Sequence, residues 1–182
     1  MQSAFEALGI SPALVITKDE LNAAFRDAGK SAHPDAGGQD GEFAELQKSY
    51  DLLMSPSKRL RHWLELKGVE VNSRGEIDTA MMDLFASIGQ ATQQAEAHLR
   101  KRQETKSALG MAMLEGEAHV CRELVEQANE QIESAIANEC DGLGEIEQTD
   151  PVDEEFAAKR MRNLVFLEKW QATMRSLFSR LL

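Results

Sequence analysis

Two amphipathic runs near the start of this 182-residue chain are separated by a proline and a glycine-rich stretch. Before the break, Leu21, Ala24, Phe25 and Ala28 recur at helical spacing; after it, Phe43, Leu46, Tyr50 and Leu53 do the same. Between them stand His33-Pro34-Asp35 and then Ala36-Gly37-Gly38-Gln39-Asp40-Gly41. A proline lacks the backbone donor that a helix needs and clashes with the preceding turn, and the glycines add turn geometry. The expected product is a helical hairpin with a polar tripeptide at its exposed tip.

The flanking segments extend this pattern. Ser3 to Leu8 is a short helix candidate ending near Gly9. Thr17-Lys18-Asp19-Glu20 reads as a capping box, the Thr17 hydroxyl serving the Glu20 amide and the Glu20 carboxylate returning to Thr17. It starts the second helix, Lys18 to Ala32. The third, from about Gln39 to Met54, stops at Ser55-Pro56, because the residue before a proline avoids helical angles. A fourth runs from Ser57 through Leu66 and closes at Lys67-Gly68. Residues 1–68 therefore form one helical part, and 69–76, with the turn Asn72-Ser73-Arg74-Gly75, a connection.

From Ile77 onward there is no strand pattern. Met81, Leu84, Phe85, Ile88, Ala95 and Leu99 line one face of a long helix. Cys121, Leu124, Val125, Ala128, Ile132, Ala135 and Ile136 make a second stripe. Phe156, Leu167, Trp170, Met174, Leu177, Phe178 and Leu181 make a third. Eight acids and no base lie between Glu139 and Glu155, which reads as a solvated loop, with Asp150-Pro151 as the cap of the last helix. Residues 77–182 are thus expected to form a bundle of three antiparallel helices, and the whole chain is all-α.

Bulk properties exclude several function classes. The net charge is −11, and residues 77–182 carry 11 basic and 19 acidic side chains, a net of −8. That balance argues against binding nucleic acid or anionic lipid and points toward a basic or neutral protein surface. No stretch approaches the ~18 apolar residues of a membrane span, and the N-terminus has no secretory pattern, so a cytoplasmic location is expected. His33, His62, His98 and His119 stand on separate segments without metal-ligand spacing, and no phosphate loop follows a strand. Cys121 lies on a core stripe and reads as buried rather than nucleophilic. No enzyme chemistry, cofactor or metal is expected.

With both parts in view, the chain resembles the HscB-type J-protein co-chaperones of iron–sulfur cluster assembly. That family pairs an N-terminal J domain with a C-terminal three-helix bundle that holds the cluster scaffold protein. The resemblance rests on Leu21-x-x-x-Phe25-x-Asp27-x-x-Lys30-x-x-His33-Pro34-Asp35, on Pro56-x-x-Arg59-x-x-x-x-Leu64-x-Leu66-x-Gly68 and on Arg162-x-Leu164-x-Phe166-Leu167-x-Lys169. Departures are Ala32, where the family usually has tyrosine, and the stretch after Asp83, which lacks the family's acidic and Arg-Glu positions.

The resemblance implies a J domain at 1–68 that stimulates a DnaK-type ATPase, and a bundle at 77–182 that binds a client, an iron–sulfur scaffold. His33, Pro34 and Asp35 would enter the chaperone, and Arg26 and Lys30, four apart on one helix face, would meet its acidic patch. Met82 and Asp83 fall away from the stripe of Met81, Phe85 and Ile88, and Phe166 lies at the edge of the last stripe, with Met161 and Val165 off it. Client surface and extra core packing both remain open for these residues. Two alternatives also stay open: the same architecture serving another client, and an interaction bundle with an inactive J domain. Lys58-Arg59-x-Arg61-His62 is the densest basic cluster, read as favourable charge on a surface helix.

Overall fold

A computed structural model of the chain describes residues 2–32, 41–72, 75 and 79–182. Eight helices follow in order among the described residues: α1 (Ala4–Ala7), α2 (Lys18–Ala32), α3 (Glu42–Met54), α4 (Pro56–Leu66), α5 (Thr79–Glu104), α6 (Ala108–Asp141), α7 (Leu143–Gln148) and α8 (Glu154–Leu181). No strand occurs among them. The chain forms two compact units. Unit 1 comprises Met1–Ser73 with Cys140–Arg162; unit 2 comprises Arg74–Glu139 with Asn163–Leu182.

Local chemistry sets the helix ends of unit 1. Ser3 and Glu6 form a reciprocal capping box at α1, and Gly9 beyond it takes a positive φ of 67°. At α2 the Glu20 amide donates to Thr17 Oγ1 (3.2 Å) and the Thr17 amide to Glu20 Oε2 (2.8 Å), as the sequence predicts. The Thr17 amide, and then the Thr17 hydroxyl, which also donates to Glu20 Oε2 (2.8 Å), favour the charged carboxylate and hold Glu20 below its usual pKa. Ser55 caps α4, with Pro56 at its first position. Helices α2 and α3 pack through aromatic rings: Phe25 lies 4.6 Å from Tyr50 and 5.9 Å from Phe43, centroid to centroid. The Tyr50 hydroxyl donates to Asn22 Oδ1 at 2.6 Å, locking the pair in register.

The basic cluster on α4 is largely structural. Arg59 is buried, and its Nη1 donates to the Leu53 carbonyl at 2.8 Å, so it clamps α4 to the end of α3. His62 accepts the Ala4 amide at Nε2 (3.0 Å) and stacks on Phe5 at 5.6 Å. Only Lys58 and Arg61 of that cluster are exposed.

The acidic span after Glu139 is not a solvated loop. Residues 143–148 form α7, and Leu143 and Ile146 are each only 1% exposed. Glu147 accepts the Leu14 amide at 3.0 Å, and the Arg162 guanidinium donates to the Asn72 carbonyl at 3.3 Å. The segment 140–162, which the sequence pattern assigns to the bundle, packs with the N-terminal residues instead. Leu143 and Ile146 are buried while most of the acids around them stay exposed, and Glu147 turns inward to a backbone amide, so apolar burial and solvation are compatible. The cap of α8 also differs: Asp153, not Asp150, accepts the Phe156 amide at 3.0 Å.

Unit 2 is an up-down-up arrangement. Thr105, Lys106 and Ser107 turn the chain between α5 and α6. Antiparallel register follows from Ser87 with Gln131 (3.0 Å) and Lys101 with Glu117 (3.0 Å). On the other side Arg122 donates to the Leu181 carbonyl (2.9 Å), and Asn163 to Glu139 (2.8 Å). Helices α5 and α8 therefore run in the same direction, each antiparallel to α6. The seam joins Met81, Ile88, Ala91, Ala95 and Leu99 to Cys121, Val125, Ala128 and Ile132, and to Leu167, Met174, Leu177 and Leu181. Alternating steps of three and four residues keep each stripe on its inner side. Cys121 is buried as expected; burial first, then the nearby Glu117 charge, pushes its thiol pKa up. His98, a seam residue only 3% exposed, has Nδ1 3.9 Å from Glu117.

Candidate functional site

The first site is the outer face of α2. His33, Pro34 and Asp35 lie outside the described residues. Arg26 and Lys30 are both exposed on that helix, one turn apart. Asp19, Asn22, Phe25 and Arg26, also at one-turn steps, line a shallow groove of about 370 Å³. Arg26 Nε donates back to the Asn22 carbonyl at 3.3 Å, leaving its terminal nitrogens outward. Lys30 Nζ donates to Asp27 Oδ1 at 2.7 Å. That hydrogen bond and its charge hold the Asp27 carboxyl below the ordinary carboxylate range. Arg26 thus carries most of the uncompensated positive charge here, and Lys30 shares its own with Asp27.

The second site lies on unit 2, along α5 and α8. Met82 is 57% exposed, Asp83 and Ala86 are exposed, and Phe166 is 37% exposed. Phe85, which the sequence pattern puts on the core stripe, is instead 57% exposed. The heptad seam steps from Met81 to Ile88, so Phe85 falls beside it rather than on it. Its ring lies 5.6 Å from Trp170, which in turn lies 6.1 Å from Phe166. Met82 is three residues before Phe85 on α5, as Phe166 is four before Trp170 on α8, and the two helices run the same way. Met82, Phe85, Phe166 and Trp170 therefore form one strip of surface, with Asp83 at its border.

Phe85 is the site residue that sequence reasoning missed, because it was absorbed into a core stripe; Trp170 packs half-buried on the seam as its stripe predicts and links the two rings. The signal was available in the strict three-four alternation, which has no place for residue 85. Met161 moves the other way: off the stripe by sequence pattern, it is buried at 2% in unit 1. Val165, open between surface and core by sequence, is exposed. Large rings held over a packed base, beside a polarisable methionine, suit the binding of an apolar protein surface. Neither site holds the grouped ligands that a metal needs: no cluster of three histidine, cysteine or acidic side chains suited to an ion occurs among the described residues.

Comparison with known proteins adds scale to these sites. No protein-family model matches the chain. Over 55 residues of its N-terminal part it is 42% identical to chaperone protein dnaJ A6 of Oryza sativa subsp. japonica and 40% identical to a DnaJ protein homolog of Cucumis sativus. That match takes in 30% of this chain and 13% of each of those proteins, so the chain spans only a small part of their length. A longer match reaches the co-chaperone protein HscB homolog of Pseudoalteromonas atlantica: 26% identity over 175 residues, 91% of this chain and 90% of that protein. The solved chaperone HscB from Vibrio cholerae superposes with a TM-score of 0.58 over 99% of both chains, at 20% identity, a likeness of fold. From end to end, then, the chain resembles the HscB-type J proteins, with DnaJ-like sequence in its first part and a three-helix bundle behind it.

Proposed function

We propose that the chain is a non-enzymatic co-chaperone that stimulates ATP hydrolysis by a DnaK-type partner and delivers to it an iron–sulfur cluster scaffold protein. The observation that carries this reading is the exposed strip Met82, Phe85 and Phe166, linked by the half-buried Trp170, on a bundle joined to a DnaJ-like hairpin. A J domain makes and breaks no bonds. It shifts its partner between states by binding one of them better. His33, Pro34 and Asp35 are the groups proposed to discriminate between those states. Pro34 fixes one backbone angle, Asp35 supplies a carboxylate for a charge-assisted bond to an arginine, and His33 both donates and accepts. Arg26 and Lys30 are proposed to steer the approach. Met82, Asp83 and Phe166 are proposed to hold the client.

No helix among the described residues is long and apolar enough to cross a membrane. The partners proposed here are soluble proteins, met in the cytoplasm. The thin positive face of α2, with Lys30 drawn to Asp27, favours one competing reading, a J domain that has lost its activity. The steady-state ATPase rate of the cognate chaperone decides between them. The wild-type protein should raise it, and His33→Gln should abolish the stimulation while leaving the circular dichroism and melting curve unchanged. An unaltered rate with the wild type would establish the inactive reading. In the same system Met82→Ala with Phe166→Ala should release the scaffold and spare client-free stimulation; no scaffold binding by the wild type would direct the bundle to another client.

A further inference from the structure

The buried line of α6 runs further toward the α5–α6 turn than the three-helix packing that covers it. Ala118, Cys121, Val125, Ala128 and Ile132 are buried along it at steps of three and four. The same steps carried backward reach Leu114 and Met111, where burial fails: Leu114 is half-buried and Met111 is 39% exposed. Helix α8 meets α6 at Arg122, whose guanidinium donates to the Leu181 carbonyl (2.9 Å). Met111 stands about 16 Å nearer the turn. On α5 the buried line of Ala91, Ala95 and Leu99 likewise continues to Arg102. Arg102, Met111, Ala112, Leu114, Glu115 and Ala118 line an open groove of about 290 Å³ there.

Charge sets this groove apart from the rest of an acidic chain. Residues 100–106 carry four bases, Arg100, Lys101, Arg102 and Lys106, against one acid, Glu104. Lys101 is matched by Glu117 (3.0 Å), and Glu115, the acid of the lining, is engaged by Arg122 (3.3 Å). The side chains of Arg100, Arg102 and Lys106 are exposed and make no ion pair among the described residues. Arg102 lines the groove itself, and the other two raise the positive potential around it. We propose that this groove docks an acidic amphipathic helix of a protein partner, laid on α5 and α6 in line with α8. An apolar side chain of that helix would cover Met111 and Leu114, and a carboxylate would pair with Arg102. Two antiparallel helices with an apolar valley between them take a third, as they take α8 further along. Glu104, Glu115 and Glu117 around the groove disfavour lipid headgroups or nucleic-acid phosphates, which need positive charge spread over a wide face.

The groove belongs wholly to unit 2 and lies about 30 Å along α5 from Met82, so the candidate client strip stays free when it is filled. A contact with so few anchors is small, and its affinity is correspondingly modest and salt-dependent. It stands independently of the client assignment.

Fluorescence anisotropy with the full chain tests the docking, using a labelled helix-forming peptide with leucine on one face and glutamate elsewhere. The peptide should bind with a dissociation constant of roughly 10–100 μM and lose affinity as salt is raised. Its lysine counterpart should bind at least about tenfold more weakly. Arg102→Glu should weaken the glutamate peptide by about tenfold and improve the lysine one; Met111→Glu should weaken the glutamate peptide to a similar degree. Both variants should keep the melting temperature, since both positions are exposed, and Lys58→Glu in unit 1 should bind the peptide as the wild type does. No binding of the glutamate peptide up to about 1 mM overturns the proposal. So does equal binding of the two peptides, or an Arg102→Glu variant indistinguishable from the wild type. Arg102-dependent binding of phosphatidylserine vesicles without binding of the peptide would assign the groove to lipid, and the proposal fails.

Discussion

Unit 1 joins segments distant in sequence through buried apolar side chains and single directed contacts together, whereas unit 2 repeats one apolar seam along three helices. In unit 1, Glu147 reaches the Leu14 amide, Arg162 the Asn72 carbonyl, and His62 the Ala4 amide. Each is one hydrogen bond between partners that no periodicity announces. In unit 2, thirteen buried side chains form one cluster, and nearly all stand at three- and four-residue steps. A seam of that kind tolerates ambiguity at any one position, because its neighbours define the same line. A directed contact has no such redundancy. The candidate surfaces follow the same division: unit 1 offers charged groups on one helix, and unit 2 offers rings beside its seam.

The sharpest way to break this contrast is at α7. Leu143→Ala with Ile146→Ala should cost unit 1 several kcal/mol, since each buried large-to-small change typically removes about 2–5 kcal/mol. Urea unfolding followed by circular dichroism reads the loss. A change under about 0.5 kcal/mol, the size of an ordinary surface substitution, would return the segment to a solvated loop and dissolve unit 1 as described.

A smaller effect sharpens the division inside unit 2. Phe85→Ala should leave the melting temperature nearly unchanged but weaken scaffold binding by about 2 kcal/mol, close to thirtyfold. Ile88→Ala, three residues on and on the seam, should do the reverse: a clear loss of stability with binding largely kept. Calorimetric titration beside thermal melts separates the two, and equal behaviour would mean that surface and seam are not distinct. The smallest effect belongs to α2. Arg26→Ala with Lys30→Ala should weaken chaperone binding a few-fold, and the wild-type affinity should fall as salt is raised from low ionic strength, because exposed charges act by screened attraction. Insensitivity to both would leave the interaction to the loop that holds His33.

What could be read from sequence tracks the same physical line. The capping box at Thr17, the stop at Ser55-Pro56 and the end at Gly68 were all legible, because each is a local rule acting over a few residues. The seams of α5, α6 and α8 were legible because they repeat. Helix α7 was hidden by its composition: two apolar residues, Leu143 and Ile146, among many acids make too weak a period to outweigh the charge. Arg59 and His62 looked like surface charge because only the fold reveals the Leu53 carbonyl and the Ala4 amide that they satisfy. Phe85 was misread for a different reason. Apolar residues adjacent to a stripe widen it on paper, and only the packing shows which of them face outward. Met82, Asp83 and Phe166 of the candidate client surface were therefore visible, and the outward turn of Phe85 beside them was not.

The interleaving of 140–162 with 1–73 has a consequence for how the chain is made. A ribosome delivers the hairpin of α2 and α3 early, yet the partners of Leu14 and Asn72 emerge only after the first two helices of unit 2 have been synthesised. The first unit therefore waits, with part of its final surroundings missing, until residue 162 clears the exit tunnel. The rest of the bundle's last helix follows within the next 20 residues. Both units thus reach completion almost together, once the last helix has been made, and a nascent chain stalled short of that point carries neither finished unit.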